Sequence, residues 1–174
     1  MTALPAATVT TLGFERFVSD RGRRLWRAAW LLTGDSQHAE DLVQTALAKC
    51  YGRYDAIGDD EGFEAYVRTA IYRTFVSWWR RMSWRNESPA ETLPETGTAG
   101  SGETSTLRLD LVRALEGLPR MQRAVLVLQY FEDRSIADIA EQLGIAPGTV
   151  KAHSSRGRAA LRDSVHLADL EVTP

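Results

Sequence analysis

One segment constrains the fold more than any other part of the chain. Residues 87–106 contain two prolines, three glycines and four glutamates, no basic or aromatic residue, and almost nothing apolar. Such a stretch cannot bury enough apolar surface to offset the entropy lost on ordering its backbone. It is therefore predicted to be a flexible acidic linker. The 174 residues are then divided into two small domains, 14–86 and 107–163, instead of one larger core.

Apolar residues in the first domain recur at helical spacing in three blocks, which predicts three helices packed as a bundle. Gly34 ends the first block, and Asp35 or Ser36 can cap the second helix. The second block includes Cys50, which is interpreted as a small buried hydrophobe. A polar loop at residues 55–62 is expected to lead into the third helix.

The second domain carries its own helix signals. Pro119 is expected at the first position of a helix that runs to about Phe131, because its missing N–H is not needed there. Ser135 and Asp138 have the spacing of a capping box for the next helix, and Gly144 ends that helix. Pro147 begins the last main helix. The predicted fold class is all-α, with two small helical domains and a flexible acidic linker.

Several classes of protein are disfavoured by what the composition lacks. A single cysteine and three histidines provide no disulfide and no metal-ligand cluster at recognised spacings. Neither a glycine-rich phosphate loop nor a nucleophile with its base is apparent, so no enzyme activity, cofactor or metal is expected. No apolar run is long enough to span a bilayer and no signal peptide is apparent, so a cytoplasmic location without membrane contact is expected. The carboxylates at 55–64 are interpreted as solvated helix caps: Asp55, Asp59, Asp60, Glu61 and Glu64.

The charge distribution is more informative than the net charge of −2. Residues 65–86 contain five arginines and no acid, and residues 142–162 contain one lysine, three arginines and no acid. Two basic stretches on an otherwise acidic chain suit contact with phosphates at two places, with little long-range attraction to DNA. The alternative for either stretch is a solvated helix face.

Ala140, Gly144 and Val150 have the spacing of a helix-turn-helix: a small residue, a turn glycine and a branched apolar residue. Val150, Ser154, Gly157 and Leu161 are predicted to face inward on the second of these helices. Small, polar and cationic residues occupy its other positions, as a major-groove reader requires. These candidate DNA contacts are Gly148, Thr149, Lys151, Ala152, His153, Ser155, Arg156 and Arg158.

Aromatic residues are interleaved with the arginines of the first basic stretch. Cations can hold a phosphate backbone, while an exposed ring can stack on an unpaired base. Helical spacing places Phe75 and Trp78 in the core, so Trp79 and Trp84 are the better candidates for exposure.

Three ordered motifs resemble one known family. AEDLVQ at 39–44, AYVR at 65–68 with SWWRR at 77–81, and GTVK at 148–151 followed by SR at 155–156 are similar to bacterial extracytoplasmic-function (ECF) sigma factors, specifically their SigE-like subgroup. The resemblance implies that the first domain, region 2, binds the clamp helices of the beta-prime subunit of core RNA polymerase and opens the promoter −10 element. It implies that the second domain, region 4, binds the −35 element and the beta-flap tip. An anti-sigma factor is a further partner that the resemblance allows.

The resemblance also assigns residues. Asp41 and Gln44 match the polymerase-docking helix, where Thr45 is the third candidate contact. Lys151, Ser155 and Arg156 match the −35 reader. Arg80 and Arg81 match the basic end of the −10 reading helix, and the full set of candidate −10 contacts is Arg73, Trp79, Arg80, Arg81, Trp84 and Arg85. Thr45, Arg73 and Ser154 stand where members commonly have Glu, Asn and Leu. The loop at 55–62 corresponds to the segment that captures a flipped −10 base.

Two other functions remain as alternatives. A stand-alone helix-turn-helix repressor or activator would bind DNA without polymerase and would normally dimerise on a palindrome; no dimerisation stripe is apparent. A nucleotide-directed enzyme would need chemistry that the sequence does not display.

Overall fold

A computed structural model describes the backbone of residues 6–84 and 103–164, and the side chains of residues 10–78, 81 and 109–164. The regular structure in these residues is entirely helical, which confirms the all-α prediction. The chain divides into two compact units, with the boundary along the chain between Phe75 and Val76. The helices are α1 (Ala6–Thr33), α2 (Ser36–Cys50), α3 (Tyr54–Ile57), α4 (Asp60–Trp84), α5 (Glu103–Glu116), α6 (Arg120–Leu126), α7 (Ile136–Leu143) and α8 (Pro147–Arg162).

Most of the predicted linker lies outside the described residues. Helix α5 begins at Glu103, so the last four residues of the predicted linker, 103–106, are helical. Among the residues that the structure describes, no helix combines the length and hydropathy that a bilayer span requires.

The core of the first unit forms where α1, α2 and the first half of α4 bring their apolar stripes together. Phe17, Leu25, Leu42, Phe63 and Ile71 are all fully buried, which confirms the three predicted helical stripes. Asp35 caps α2 by accepting a hydrogen bond from the His38 amide at 2.7 Å, and Cys50 is buried as predicted.

The polar loop predicted at 55–62 is mostly helical, so that prediction is wrong. Helix α2 continues through a 3₁₀ turn, Tyr51–Arg53, into α3, and α4 begins at Asp60. Only Gly58 and Asp59 lie between α3 and α4, with Gly58 in the left-handed conformation at φ 78°. Because Gly58 supplies this turn without steric cost, one glycine suffices where the sequence suggested a longer loop.

The second unit packs α8 against α6 and α7. The predicted capping box is present: the Asp138 amide donates to the Ser135 hydroxyl at 3.1 Å, and the Ser135 amide donates back to the Asp138 carboxylate. Gly144 ends α7 at φ 67°. Pro119 is the N-cap of α6 and not its first residue, since its extended ψ of 143° places it just outside the helix. A π-helical turn, Val127–Phe131, continues α6 to the predicted end.

Candidate nucleic-acid interface

Helix α8 separates packed from exposed residues as its sequence pattern predicts. Val150, Ser154 and Gly157 are buried, and Leu161 is half-buried. The predicted contact residues at the opposite positions are exposed, except that Ala152 and His153 are half-buried; the exposed ones are Gly148, Thr149, Lys151, Ser155, Arg156 and Arg158. The structure therefore brings all eight predicted contacts together on one helix.

The buried side of α8 is held by close packing and by one polar contact. A Cβ atom added at Gly157 would lie 2.8 Å from Cδ1 of buried Leu126, so α8 and α6 approach too closely there for a larger residue. The Ser154 hydroxyl donates to the Gln129 amide oxygen at 2.7 Å. Sequence analysis placed Ser154 inward but did not identify Gln129, because the two residues are 25 positions apart.

The electrostatics of this face favour phosphate. Helix α8 contains no carboxylate, and the structure shows no ion pair at Lys151 or Arg156 within its described part. Arg158 donates only a long 3.4 Å hydrogen bond to the Ser154 carbonyl one turn earlier. The N-cap, Ala146, offers no side-chain acceptor to the first turn. Exposed cations and helix-start amides together can therefore bind an anionic backbone.

His153 on α8 has a pKa that its surroundings displace from the ordinary value. Burial, followed by the charge of Arg156, lowers the pKa of His153 below 6.5. Its Nδ1 atom is buried without a hydrogen-bond partner among the described residues. The lowered pKa favours the neutral imidazole, and Nε2 is the ring nitrogen that can meet a polar group of a partner.

The first basic stretch supplies less free charge than its composition suggests. Arg68 donates to the carboxylate of Glu64 at 2.9 Å, and Arg21 of α1 donates to the same carboxylate at 2.5 Å. Glu64 is only 8% exposed, so its interpretation as a solvated cap is wrong. Arg24 lies 3.8 Å from the same group. Arg68 is therefore paired with Glu64, and its charge is not available on the surface of the first basic stretch.

The same ionic cluster sets the pKa of the Glu64 carboxyl group. Burial by itself would raise the pKa of Glu64, but hydrogen bonds from Arg21 and Arg68 outweigh burial, and the pKa is lowered from 4.5. The spacing of Glu64 and Arg68, four residues apart on one helix, was the signal available in the sequence. Nothing in the sequence indicated Arg21.

The predicted −10 contacts on α4 are described only in part. Arg73 and Arg81 are exposed, and the Arg81 guanidinium lies 3.3 Å from the Ser77 hydroxyl. The side chains of Trp79, Arg80 and Trp84, and the whole of Arg85, lie outside the described residues.

The aromatic residues of α4 divide between core and surface. Tyr72 and Phe75 are buried, at 0% and 5% exposure, which confirms the core assignment of Phe75. Trp78, also predicted to be core, is half-buried. Tyr66 is exposed at 43%, so this residue, and not the described tryptophan, presents an aromatic surface in the described part of α4.

The predicted polymerase contacts lie on α2. Asp41 and Gln44 are exposed, and Thr45 is half-buried. Leu42 and Val43 face the core on the other side of the helix. The polar face of α2 is therefore open to a partner.

Comparison with known proteins agrees with this arrangement. Residues 17–85 match the family model for Sigma-70 region 2, and residues 108–161 match that for Sigma-70 region 4. The chain is 38% identical to the RNA polymerase sigma-E factor of Streptomyces coelicolor over 92% of this chain and 90% of that protein. It is 35% identical to the ECF RNA polymerase sigma factor SigL of Mycobacterium tuberculosis over 86% of this chain and 85% of that protein.

A solved structure aligns with most of this chain. The sigma factor RpoE of Bartonella quintana, in complex with the anti-sigma factor NepR, aligns with a TM-score of 0.61 and 25% identity, covering 87% of this chain and 95% of that one. The two regions define a Sigma-70-type transcription initiation factor. The chain belongs to the ECF sigma factors, in their SigE-like subgroup. It is a non-enzymatic subunit that binds core RNA polymerase and promoter DNA to direct transcription initiation.

Proposed function

We propose that α8 reads the −35 element, that α4 reads the −10 element and promotes strand opening, and that α2 docks on the clamp helices of the beta-prime subunit. Residues 14–86 form the domain that binds the clamp helices and the −10 element. Residues 107–163 form the domain that binds the −35 element and the beta-flap tip. The linker between them carries four glutamates. The protein acts in the cytoplasm, where core polymerase and promoter DNA are found.

One observation carries the −35 assignment: the cationic face of α8 is exposed, while its small residues pack against α6. Lys151, Ser155 and Arg156 are exposed, whereas Val150 and Gly157 are buried. A helix held in this way can enter the major groove with its packed side turned back toward α6 and α7. Polar and cationic side chains on the other side can then reach base edges and phosphates.

Arg156→Ala tests this assignment. An arginine that contacts a base edge contributes ~1 to 3 kcal/mol of discrimination, so transcription from a −35-dependent promoter is expected to fall about tenfold or more. The measurement is transcription in vitro with purified core polymerase. Arg162→Ala is the matched control, because Arg162 is also exposed on α8 but lies in its last turn. Core binding should be unchanged in both variants, and equal promoter activity in the two would contradict the assignment.

The stand-alone repressor alternative is separated by gel shifts with and without core polymerase. The bulk of the chain is acidic outside its basic stretches, so free protein is expected to bind promoter DNA weakly and the complex with core to bind strongly. Tight binding that ignores core polymerase would favour a stand-alone regulator.

An anti-sigma factor is a further proposed partner. The support is the Bartonella quintana RpoE structure, which is a complex with the anti-sigma factor NepR. Co-purification of the chain from its own cells, followed by mass spectrometry, tests for such a partner.

A further inference from the structure

The first turns of α1 contact the segment that joins α2 to α4. The Sigma-70 region 2 match begins at residue 17, but α1 begins at Ala6. Thr10, Thr11, Gly13 and Phe14 therefore lie upstream of the matched region. Thr10, Thr11 and Phe14 each contact a residue in the range 51–55, and the backbone of Gly13 lies close to the Tyr54 ring.

The polar contacts join the two elements near their surface. The Thr10 hydroxyl donates to Oδ2 of Asp55 at 2.8 Å. The hydroxyls of Thr11 and Tyr51 are 3.4 Å apart, which is long for a hydrogen bond. The Thr10–Asp55 hydrogen bond is therefore the stronger of the two polar contacts. Its acceptor, Asp55, lies in α3, which has only four residues.

Apolar contacts beneath these hydroxyls lock the same segment. The ring of Phe14 meets the rings of Tyr51 and Tyr54 edge-on, with centroids 4.8 and 5.7 Å away. A Cβ atom added at Gly13 would lie 3.3 Å from the Tyr54 ring. Edge-to-face pairs of this kind add stability beyond the apolar area that they bury. The segment therefore rests on α1 through both of its tyrosines.

The far end of the segment is fixed from α4. The Tyr54 hydroxyl donates to Asp60 at 3.1 Å, and the Gly62 amide donates to Asp59 at 2.6 Å. Between these two anchored ends, Arg53, Ala56 and Gly58 remain exposed. Residues 51–60 thus form a short surface that is held from both sides and open outward.

We propose that residues 10–14 of α1 are a positioning element for −10 recognition: they hold residues 51–60 in the conformation that receives an extruded base. This inference rests on the proposed −10 role, together with the correspondence of residues 55–62, implied by the family resemblance, to the segment that captures a flipped −10 base. Capturing a base requires the unstacked nucleotide to be held in a shaped surface. If that surface is already ordered in the free protein, less conformational entropy is lost when the base binds. Residues upstream of the matched region therefore set how sharply the −10 base is discriminated.

Two variants test the proposal in the full chain. Thr10→Ala removes the hydrogen bond to Asp55, and Phe14→Leu removes the edge contacts while keeping an apolar side chain. Ser19→Ala is the matched control, because Ser19 is exposed on α1 away from the segment. With core polymerase, open-complex formation is measured on promoters that carry each of the four bases at each −10 position in turn. The preference ratio is expected to fall about two- to fivefold in Thr10→Ala, the size of one net hydrogen bond, and further in Phe14→Leu.

The readouts separate positioning from stability and from the proposed function. Core affinity and the response to −35 substitutions should match those of Ser19→Ala. A preference ratio equal to that of Ser19→Ala in both variants would overturn the proposal. Amide hydrogen exchange of residues 51–60 is measured on the free protein, where Thr10→Ala should exchange several-fold faster; unchanged exchange also overturns it. If the unsubstituted protein shows no base preference at any −10 position, the proposed −10 role itself fails, and this inference fails with it.

Discussion

Arginines in the two units are held in different ways. In the first unit, Glu64 of α4 accepts hydrogen bonds from Arg21 of α1 and from Arg68 of its own helix, so Arg21 joins α1 to α4. In the second unit, α8 carries exposed Lys151 and Arg156 and no carboxylate. The same side-chain chemistry therefore supports the fold in one place and remains available to phosphate in the other.

A second contrast concerns the contacts that join the helices within each unit. The first unit joins its helices through a buried ionic cluster and an aromatic cluster around Phe14, Phe17 and Phe63. In the second unit, α6 and α8 pack closely together at Gly157, which has no side chain to keep them apart. That helix contact does not use Lys151 or Arg156, which are exposed on α8.

Removing the Glu64 charge has the largest expected effect. Glu64→Gln leaves Arg21 and Arg68 without their anionic acceptor in a half-buried setting, and a loss of about 2 to 3 kcal/mol in the free energy of unfolding is expected. Chemical denaturation of the full chain measures it. Glu61→Gln is the matched control, since Glu61 lies exposed in the first turn of the same helix. Equal stability in the two variants would mean that the ionic cluster does not join the helices.

Filling the close contact at Gly157 has the next largest effect. In Gly157→Ala the new methyl group would meet buried Leu126 at 2.8 Å, and a destabilisation of about 1 to 2 kcal/mol is expected after the gain in helix propensity. Gly148→Ala is the control, because nothing lies within 4 Å of a Cβ atom there. Thermal denaturation followed by circular dichroism compares them. If Gly157→Ala is as stable as Gly148→Ala, close approach of α6 and α8 is not required.

The pH dependence of stability is the smallest expected effect and sharpens the first contrast. The folded-state pKa of Glu64 is lowered, so its contribution is fully present above about pH 4.5 and is lost as pH falls through the folded pKa. Denaturation midpoints measured from pH 7 to pH 3 should show a steeper fall for the unsubstituted protein than for Glu64→Gln. Parallel curves would show that Glu64 does not contribute through its charge.

Helix positions and helix ends could be read from the sequence because they depend on near neighbours. The stripes that contain Phe17, Leu42 and Ile71 follow from helical periodicity, and the capping box at Ser135 follows from a three-residue spacing. The inward side of α8 followed from the same logic, since Val150, Ser154 and Gly157 recur on one face. The short polar segment at 55–62 was misjudged because α2 runs on through a 3₁₀ turn into α3, and neither a strong apolar stripe nor a proline marks those turns.

The sequence by itself determined the two helical units, the family likeness and the exposed face of α8, because these depend on residue types at short, regular spacings. Only the tertiary structure decided which arginines pair with Glu64, that Glu64 is buried, and that the first turns of α1 contact residues 51–55. Those features join side chains as far as 45 residues apart in the chain. Such pairings depend on how helices pack in space, which local periodicity does not encode.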